Sequence, residues 1–227
     1  MELDERESKH AVRVLRLKKG DIVHLVDGRG GWFQTRLAED HPKRCLLQVV
    51  SHIPDYQPLP YHLHVAISPT KSMDRFEWFL EKATEIGISE ITPLLCHRTE
   101  RTRINPERLE RILVSAMKQS LRAYKPLLNT PSSVERFITE NRNGILGIAH
   151  CIESGDVHME RSGITDLPRD DRYTLMVGPE GDFSEGEVQS AIQSGYVPFH
   201  LGESRLRTET AGVFVCAAVS LLSGARV

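Results

Sequence analysis

The stretch TLMVGPEGDFSEGEV, Thr174–Val188, decides how the chain is read. Thr174-Leu175-Met176-Val177 is a short apolar run of the kind found in a buried strand, and Ser184 with Glu187 forms a capping box that opens a helix. Gly178 to Phe183 is then the loop at the strand's carboxyl end, the edge where open α/β sheets bind their ligands. Gly178 and Gly181 lack a Cβ, so the backbone there can come close to a ligand. The segment matches neither GxGxxG nor the Walker pattern, and Glu180 and Asp182 would repel a triphosphate. A ligand with little negative charge, or a cationic one, fits better. The same residues also suit a tight strand-to-helix turn that holds nothing.

Outward from this loop, strands and helices alternate from about Tyr61 onward, which predicts an α/β domain with a mainly parallel sheet. Strands are expected at Leu63–Ile67, Ile91–Leu95, Ile145–Ala149, Thr174–Val177 and Val197–Leu201. A helix over Asp74–Ile86 places Phe76, Phe79, Leu80 and Ala83 on one face, with Gly87 to end it. Another follows Pro106, a third starts at Ser184, and the last runs from about Ala211 to Ser223 with Thr208 or Thr210 as its cap. Before residue 51 the pattern differs. Ala11–Leu17, Ile22–Val26, Trp32–Leu37 and Cys45–Val50 alternate or run apolar between polar turns, the signature of a small antiparallel barrel or sandwich. Ser51–Pro60 (SHIPDYQPLP) carries three prolines and is the natural linker.

The bulk properties limit the function. With 227 residues the chain supports one full domain and a small second one. Its 29 basic and 31 acidic residues nearly cancel, so a polyanionic partner must be met by a local patch. The amino terminus MELDERESKH is charged and no stretch approaches ~20 apolar residues, so a cytosolic chain with no membrane span is expected. Cys45, Cys96, Cys151 and Cys216 are scattered, which disfavours both a metal site and a disulfide framework. Reduced, mostly buried thiols are expected.

A second stretch, His200–Gly212 (HLGESRLRTETAG), also follows a strand and precedes a helix, so two glycine-bearing loops should meet at one sheet edge. Together they resemble the carboxyl-terminal signature of the SPOUT methyltransferases, and within them the ribosomal RNA small subunit methyltransferase E family. Its GPEGG-F-S-x-x-E and LG-x-x-x-LRTETA loops match Gly178–Glu187 and Leu201–Ala211. His10–Asp21 and Asp27-Gly28 are similar to the family's HxLRxxxGD and DG elements, and Glu77–Leu94 (EWFLEKATEIGISEITPL) to its central segment. The match therefore runs along nearly the whole chain. Asp182 departs from it, replacing the second glycine of the first loop. Glu203-Ser204-Arg205 replaces a Pro-Arg-aliphatic triplet, and Leu121 replaces a glycine.

The resemblance implies a SPOUT-type parallel sheet with a carboxyl-terminal trefoil knot over residues 61–227, preceded by a PUA-like, RNA-binding β-barrel over residues 1–58. It implies S-adenosylmethionine as cofactor, held around Gly178, Glu180, Gly181, Leu201, Gly202, Leu206, Thr208 and Thr210. Glu180 either faces the cofactor's positive charge or serves structurally, accepting loop N–H groups or bonding across a dimer. The implied reaction is methylation at N3 of a uridine in small-subunit ribosomal RNA, with the assembled subunit as the expected form of the substrate. Its alternative is a non-catalytic RNA-binding or ribosome-assembly factor that keeps the fold. Arg207 is the candidate for stabilising charge on the uracil carbonyls. Glu209 is a candidate general base; Glu203 or solvent could fill that role, and Glu209 could instead orient Arg207.

For RNA, Arg108, Arg111, Lys118, Arg122 and Lys125 recur at helical steps beside the apolar stripe after Pro106, with Arg98, Arg101 and Arg103 just before it. Such a face is either a phosphate track or a solvated surface. His10, Arg13, Arg16 and Arg29 form a second candidate patch in the small barrel, and Lys71 and Arg75 a third at the end of the first strand after the linker. His62 and His64 read as structural. Val213, Cys216, Ala217 and Ser220 share one face of the last helix and, by the resemblance, are candidates for a homodimer contact.

Overall fold

The computed structural model describes residues 1–140, 142–151 and 161–224. The chain divides into two units, Met1–Pro58 with Leu121–Tyr124, and Leu59–Ser120 with Lys125–Val227. Among the described residues no helix is long and apolar enough to cross a membrane.

In the first unit, α1 (Glu5–Lys9) is capped by Asp4, whose side chain accepts from Glu7 N, and it continues into a π-helical turn at His10–Val14. Three antiparallel strands follow, β1 (Ile22–Val26), β2 (Trp32–His41) and β3 (Arg44–Ile53), in the order β1-β2-β3. The expected strand over Ala11–Leu17 is thus a correction: the segment is helical to Val14 and turns at Arg16, where φ is 57°. Its apolar residues need no sheet partner. Ala11 is buried against Leu37, Cys45 and Leu47, with Val12 and Leu17 beside it, so a helical turn seals this small core. β3 also runs to Ile53, which shortens the irregular segment expected from Ser51.

The second unit is a parallel sheet. Its strands are β4 (His62–Ile67), β5 (Glu90–Leu95), β6 (Leu127–Leu128), β7 (Ser132–Ser133), β8 (Ile145–Ala149), β9 (Ser162–Gly163), β10 (Arg172–Val177) and β11 (Val197–His200). They lie in the order β6-β5-β4-β10-β8-β11-β9, with β7 beside β5, and every pairing is parallel. Strand side chains alternate between faces, and helices cover both. Leu63, Val65, Ile67, Leu175 and Val177 pack on α2 (Met73–Ile86) and α6 (Thr208–Leu222). Ala66, Ile148 and Met176 pack on α4 (Val134–Thr139) and α5 (Glu185–Gln193). Phe76, Phe79 and Leu80, the stripe expected on α2, are fully buried. Each contributes roughly 1.5–3 kcal/mol by leaving water. α6 lies so close to the sheet that a Cβ on Gly212 would come within 2.6 Å of Ile67 Cδ1 and Phe79 Cε2.

Two expected surfaces change. α3 (Pro106–Gln119) stops at Ser120, Leu121 has φ 57°, and Arg122 belongs to the first unit, so Arg108 to Lys125 is not one helical face. Within it Arg108 donates to Glu77 at 2.8 Å and Lys125 pairs with Glu110. On α6, Cys216 and Ser220 are 0% and 1% exposed, turned into the chain's own core and unavailable to a partner. The apolar side chains α6 presents outward are Phe214 and Leu221, seven residues apart on one face. Cys45 and Cys96 are buried as well; Cys151 is exposed, and all four thiols are free.

Candidate functional site

β10 occupies the centre of the sheet between β4 and β8, so its carboxyl loop, Gly178–Phe183, is surrounded by the ends of other strands. Five side chains stitch it to them. Glu180 Oε1 accepts from Lys71 N, after β4, at 3.1 Å. Arg98, after β5, donates to the carbonyls of Gly181 and Phe183 at 2.8 and 3.3 Å. Asp182 Oδ2 accepts from Cys151 N, after β8, at 2.7 Å, while its Oδ1 accepts from Phe183 N. Thr208 Oγ1, at the start of α6, donates to Gly178 O at 3.1 Å. Glu187, 6% exposed, caps Ser184 N with one oxygen and accepts from His97 N with the other. The loop's acidic residues thus spend their charge on backbone N–H groups, where a carboxylate makes its stronger hydrogen bonds. Asp182 also sits at φ 64°, a conformation that glycine adopts freely and aspartate tolerates. That accounts for its standing where the resembling loops carry glycine.

The second loop follows β11. Leu201 is half-buried, and Gly202 has φ 111° with open space where a Cβ would stand. Glu203 to Arg207 are exposed, and Arg207 is the N-cap residue of α6 with its side chain uninvolved in capping. The first turn of α6 then buries Thr208 and Glu209, 4% and 6% exposed, and leaves Thr210 outside. Glu209 Oε1 lies 3.8 Å from Arg75 Nε, and Glu209 Oε2 is buried with no hydrogen-bond partner among the described residues. Arg75, Leu206, Arg207, Glu209, Thr210 and Trp78 border one open groove of about 520 Å³. Arg75 therefore stands beside the candidate base rather than with the remaining RNA candidates. Sequence spacing held no sign of that pair, since 133 positions separate its members and only the packing of α2 against α6 joins them.

The remaining basic candidates separate into groups. Lys71, Arg101 and Arg103 border a second groove of about 650 Å³ together with Arg108, Asp74 and Glu77. Lys71 Nζ sits 2.9 Å from Glu100, whose hydrogen bond and charge hold the ammonium's pKa up. Arg98 is committed to loop carbonyls, so its guanidinium is structural here. Lys118 is exposed on α3. In the first unit His10, Arg13, Arg16 and Arg29 are all exposed, the first two on the π-helical turn, and Arg122 is half-buried.

Known proteins resemble this chain in sequence and fold. The family described as an RNA methyltransferase domain matches residues 57–220, and the RNA methyltransferase PUA domain family matches residues 3–50. The ribosomal RNA small subunit methyltransferase E of Synechocystis is 31% identical over 216 residues, 92% of this chain and 69% of that protein. A solved structure described as a "probable rRNA-methyltransferase" from Porphyromonas gingivalis superposes with a TM-score of 0.90 at 39% identity, covering 98% of this chain and 93% of that one. A Legionella pneumophila protein solved with bound cofactor SAM gives a TM-score of 0.85 at 26% identity, covering 97% and 91%.

Proposed function

The chain belongs to the RNA methyltransferase family, with ribosomal RNA small subunit methyltransferase E enzymes among its relatives, and on that premise we propose that it methylates N3 of a uridine in small-subunit ribosomal RNA. S-adenosylmethionine is the cofactor this reading requires. The loops suit it. Open space beside Gly202 leaves room for adenosine to approach the backbone, and the Gly178–Phe183 loop carries the carboxylates of Glu180 and Asp182, held by N–H groups, and no lysine of its own. Gly178, Gly181, Leu201, Gly202, Leu206, Thr208 and Thr210 are the residues assigned to it, with Glu180 holding the loop in shape. When bound, this group supplies an electrophilic methyl and leaves as the neutral thioether.

The chain's own task is to make N3 a nucleophile. N3 of uracil is a weakly acidic imide whose proton must leave as the N–C bond forms. The observation that carries the reading is the first turn of α6, where an exposed guanidinium and a buried, half-unpartnered carboxylate lie in one groove. Glu209, whose Oε1 lies 3.8 Å from Arg75 Nε in that groove, is the carboxylate assigned the N3 proton. Arg207 donates to the uracil carbonyl oxygen that gains charge. N3 is engaged in a paired helix, so the target base is unpaired or flipped out. Lys71, Arg101 and Arg103 are assigned to phosphates, with His10, Arg13, Arg16 and Arg29 on a PUA-like domain of residues 1–58 and the methyltransferase domain over residues 61–227. The reading carries with it a trefoil knot, a cytoplasmic location, a substrate presented in the assembled subunit, and a homodimer. The dimer face is here Phe214 and Leu221, 44% and 74% exposed. A monomer by light scattering at micromolar concentration would refute that face.

The reaction is tested by labelled-methyl transfer to small ribosomal subunits lacking the modification, followed by nucleoside mass spectrometry. Arg207→Ala should lower the rate about a hundredfold, as loss of an oxyanion donor does. Label at C5 or on the ribose, or a near wild-type rate for the variant, would overturn the assignment.

A further inference from the structure

β8 pairs with β10 on one side and β11 on the other, so the residue just beyond its carboxyl end lies between the Gly178–Phe183 and Leu201–Arg207 loops. That residue is His150. It is 3% exposed, and neither Nδ1 nor Nε2 meets a partner among the described residues. Its backbone is clamped on both sides. Arg161 donates to His150 O at 2.7 Å, and the next N–H, of Cys151, is held by Asp182. These bonds hold the backbone at this edge, and among the described residues the ring's hydrogen-bonding capacity is unspent.

An unmet buried donor or acceptor costs about 1–3 kcal/mol, and native proteins rarely leave both sides of a ring idle. His64, on β4 of the same sheet and equally buried, shows the ordinary solution: its Nε2 meets Thr92 Oγ1 at 2.7 Å and its Nδ1 lies 3.7 Å from Glu90. The two histidines differ in place. His64 sits near the amino end of its strand, away from the loops, whereas His150 sits at the edge where they converge. Burial lowers the His150 pKa, against the pull of Asp182 and with that of Arg161, so the ring there is a neutral imidazole with one donor and one acceptor. An adenine edge carries both an amino donor and ring nitrogen acceptors, so whichever nitrogen of a neutral imidazole faces it finds a match, while the charged parts of the cofactor call for a charged partner.

We propose that His150 reads the adenine of the cofactor, its imidazole hydrogen-bonding the polar edge of the base from between the two loops. This rests on the assignment of S-adenosylmethionine above. It also makes His150 a residue kept for binding at the expense of stability, since an apolar ring in its place would bury no unmet polar atom.

Calorimetric titration of S-adenosylhomocysteine and, separately, adenosine into the wild type, His150→Phe and His150→Asn tests it. His150→Phe should weaken both ligands by the same factor, about tenfold or more, while its ligand-free unfolding midpoint does not fall. His150→Asn, which restores a donor and an acceptor, should recover part of the loss, and the His150 Cε1 resonance of the wild type should move when S-adenosylhomocysteine binds. His150→Phe binding S-adenosylhomocysteine within twofold of wild type, or losing it while keeping adenosine, overturns the proposal. So does a His150 resonance that stays put at saturation. A wild type that binds neither ligand overturns instead the cofactor reading on which it rests.

Discussion

Acid should unfold this protein through His64. Burial, partly offset by Glu90 and reinforced by Arg142 and His62, lowers the pKa of its ring from 6.5 to about 4. Between those values the unfolded chain takes up a proton that the folded one refuses, so stability falls as pH falls through the window and is unaffected by this group above it. Each step of one pH between the two values is worth about 1.4 kcal/mol, so the loss reaches about 2 kcal/mol by pH 5 and about 3 kcal/mol near pH 4. The buried ring sits in a hydrogen-bonded network: His64 Nε2 and Asn129 Nδ2 both meet Thr92 Oγ1, and Asn129 also donates to Glu90. A second proton on that ring would have to be housed in a site that is 3% exposed. Urea unfolding followed by circular dichroism at pH 7, 6, 5 and 4.5 measures the effect, with His64→Gln as the reference that cannot titrate. The wild type should lose about 2 kcal/mol more than His64→Gln between pH 7 and pH 5. Parallel curves for the two proteins, or a His64 titration midpoint near 6.5 by NMR, would refute the reasoning.

Asp182→Ala removes the bonds to Cys151 N and Phe183 N and leaves a Cβ at φ 64°, whereas Asp182→Gly removes the same bonds but relieves the backbone, so the glycine variant should be the more stable by about 1 kcal/mol while both bind S-adenosylhomocysteine more weakly; equal stability would sink the strain argument. Gly212→Ala gains about 1 kcal/mol of helix propensity but forces a methyl to within 2.6 Å of Ile67 and Phe79, so chemical denaturation should show net destabilisation by up to about 2 kcal/mol, and a stabilised variant would contradict the close approach of α6. Gly202→Ala meets no atom within 4 Å but strains a residue at φ 111°, so it should lower cofactor affinity and cost about 1 kcal/mol; unchanged values of both would show that the loop relaxes freely.

The α/β unit was legible in the chain alone, because buried parallel strands are written as short apolar runs and their helices as periodic stripes, each a local signal. The strands over Ile145–Ala149 and Thr174–Val177, the α2 stripe and the Ser184 capping box all stand where their residues put them. The motif loops marked the carboxyl edge of the sheet for the same reason: a glycine-bearing turn between strand and helix is local too. What the charged residues in those loops do was settled by contacts between distant segments. Glu180 and Asp182 look free on paper and are bound to backbone N–H groups of Lys71 and Cys151, in loops that follow other strands of the sheet. Arg75, spaced like a surface residue, stands against Glu209, and Cys216 and Ser220, spaced like a contact face, turn inward. Alternation over Ala11–Leu17 failed as a strand signal because seven residues that suit one face of a sheet also suit a helical turn closing a small core. His150 illustrates the limit most clearly. Nothing around it in sequence sets it apart from His64; long-range strand pairing brings Thr92 of β5 to one ring and leaves the other without a partner among the described residues.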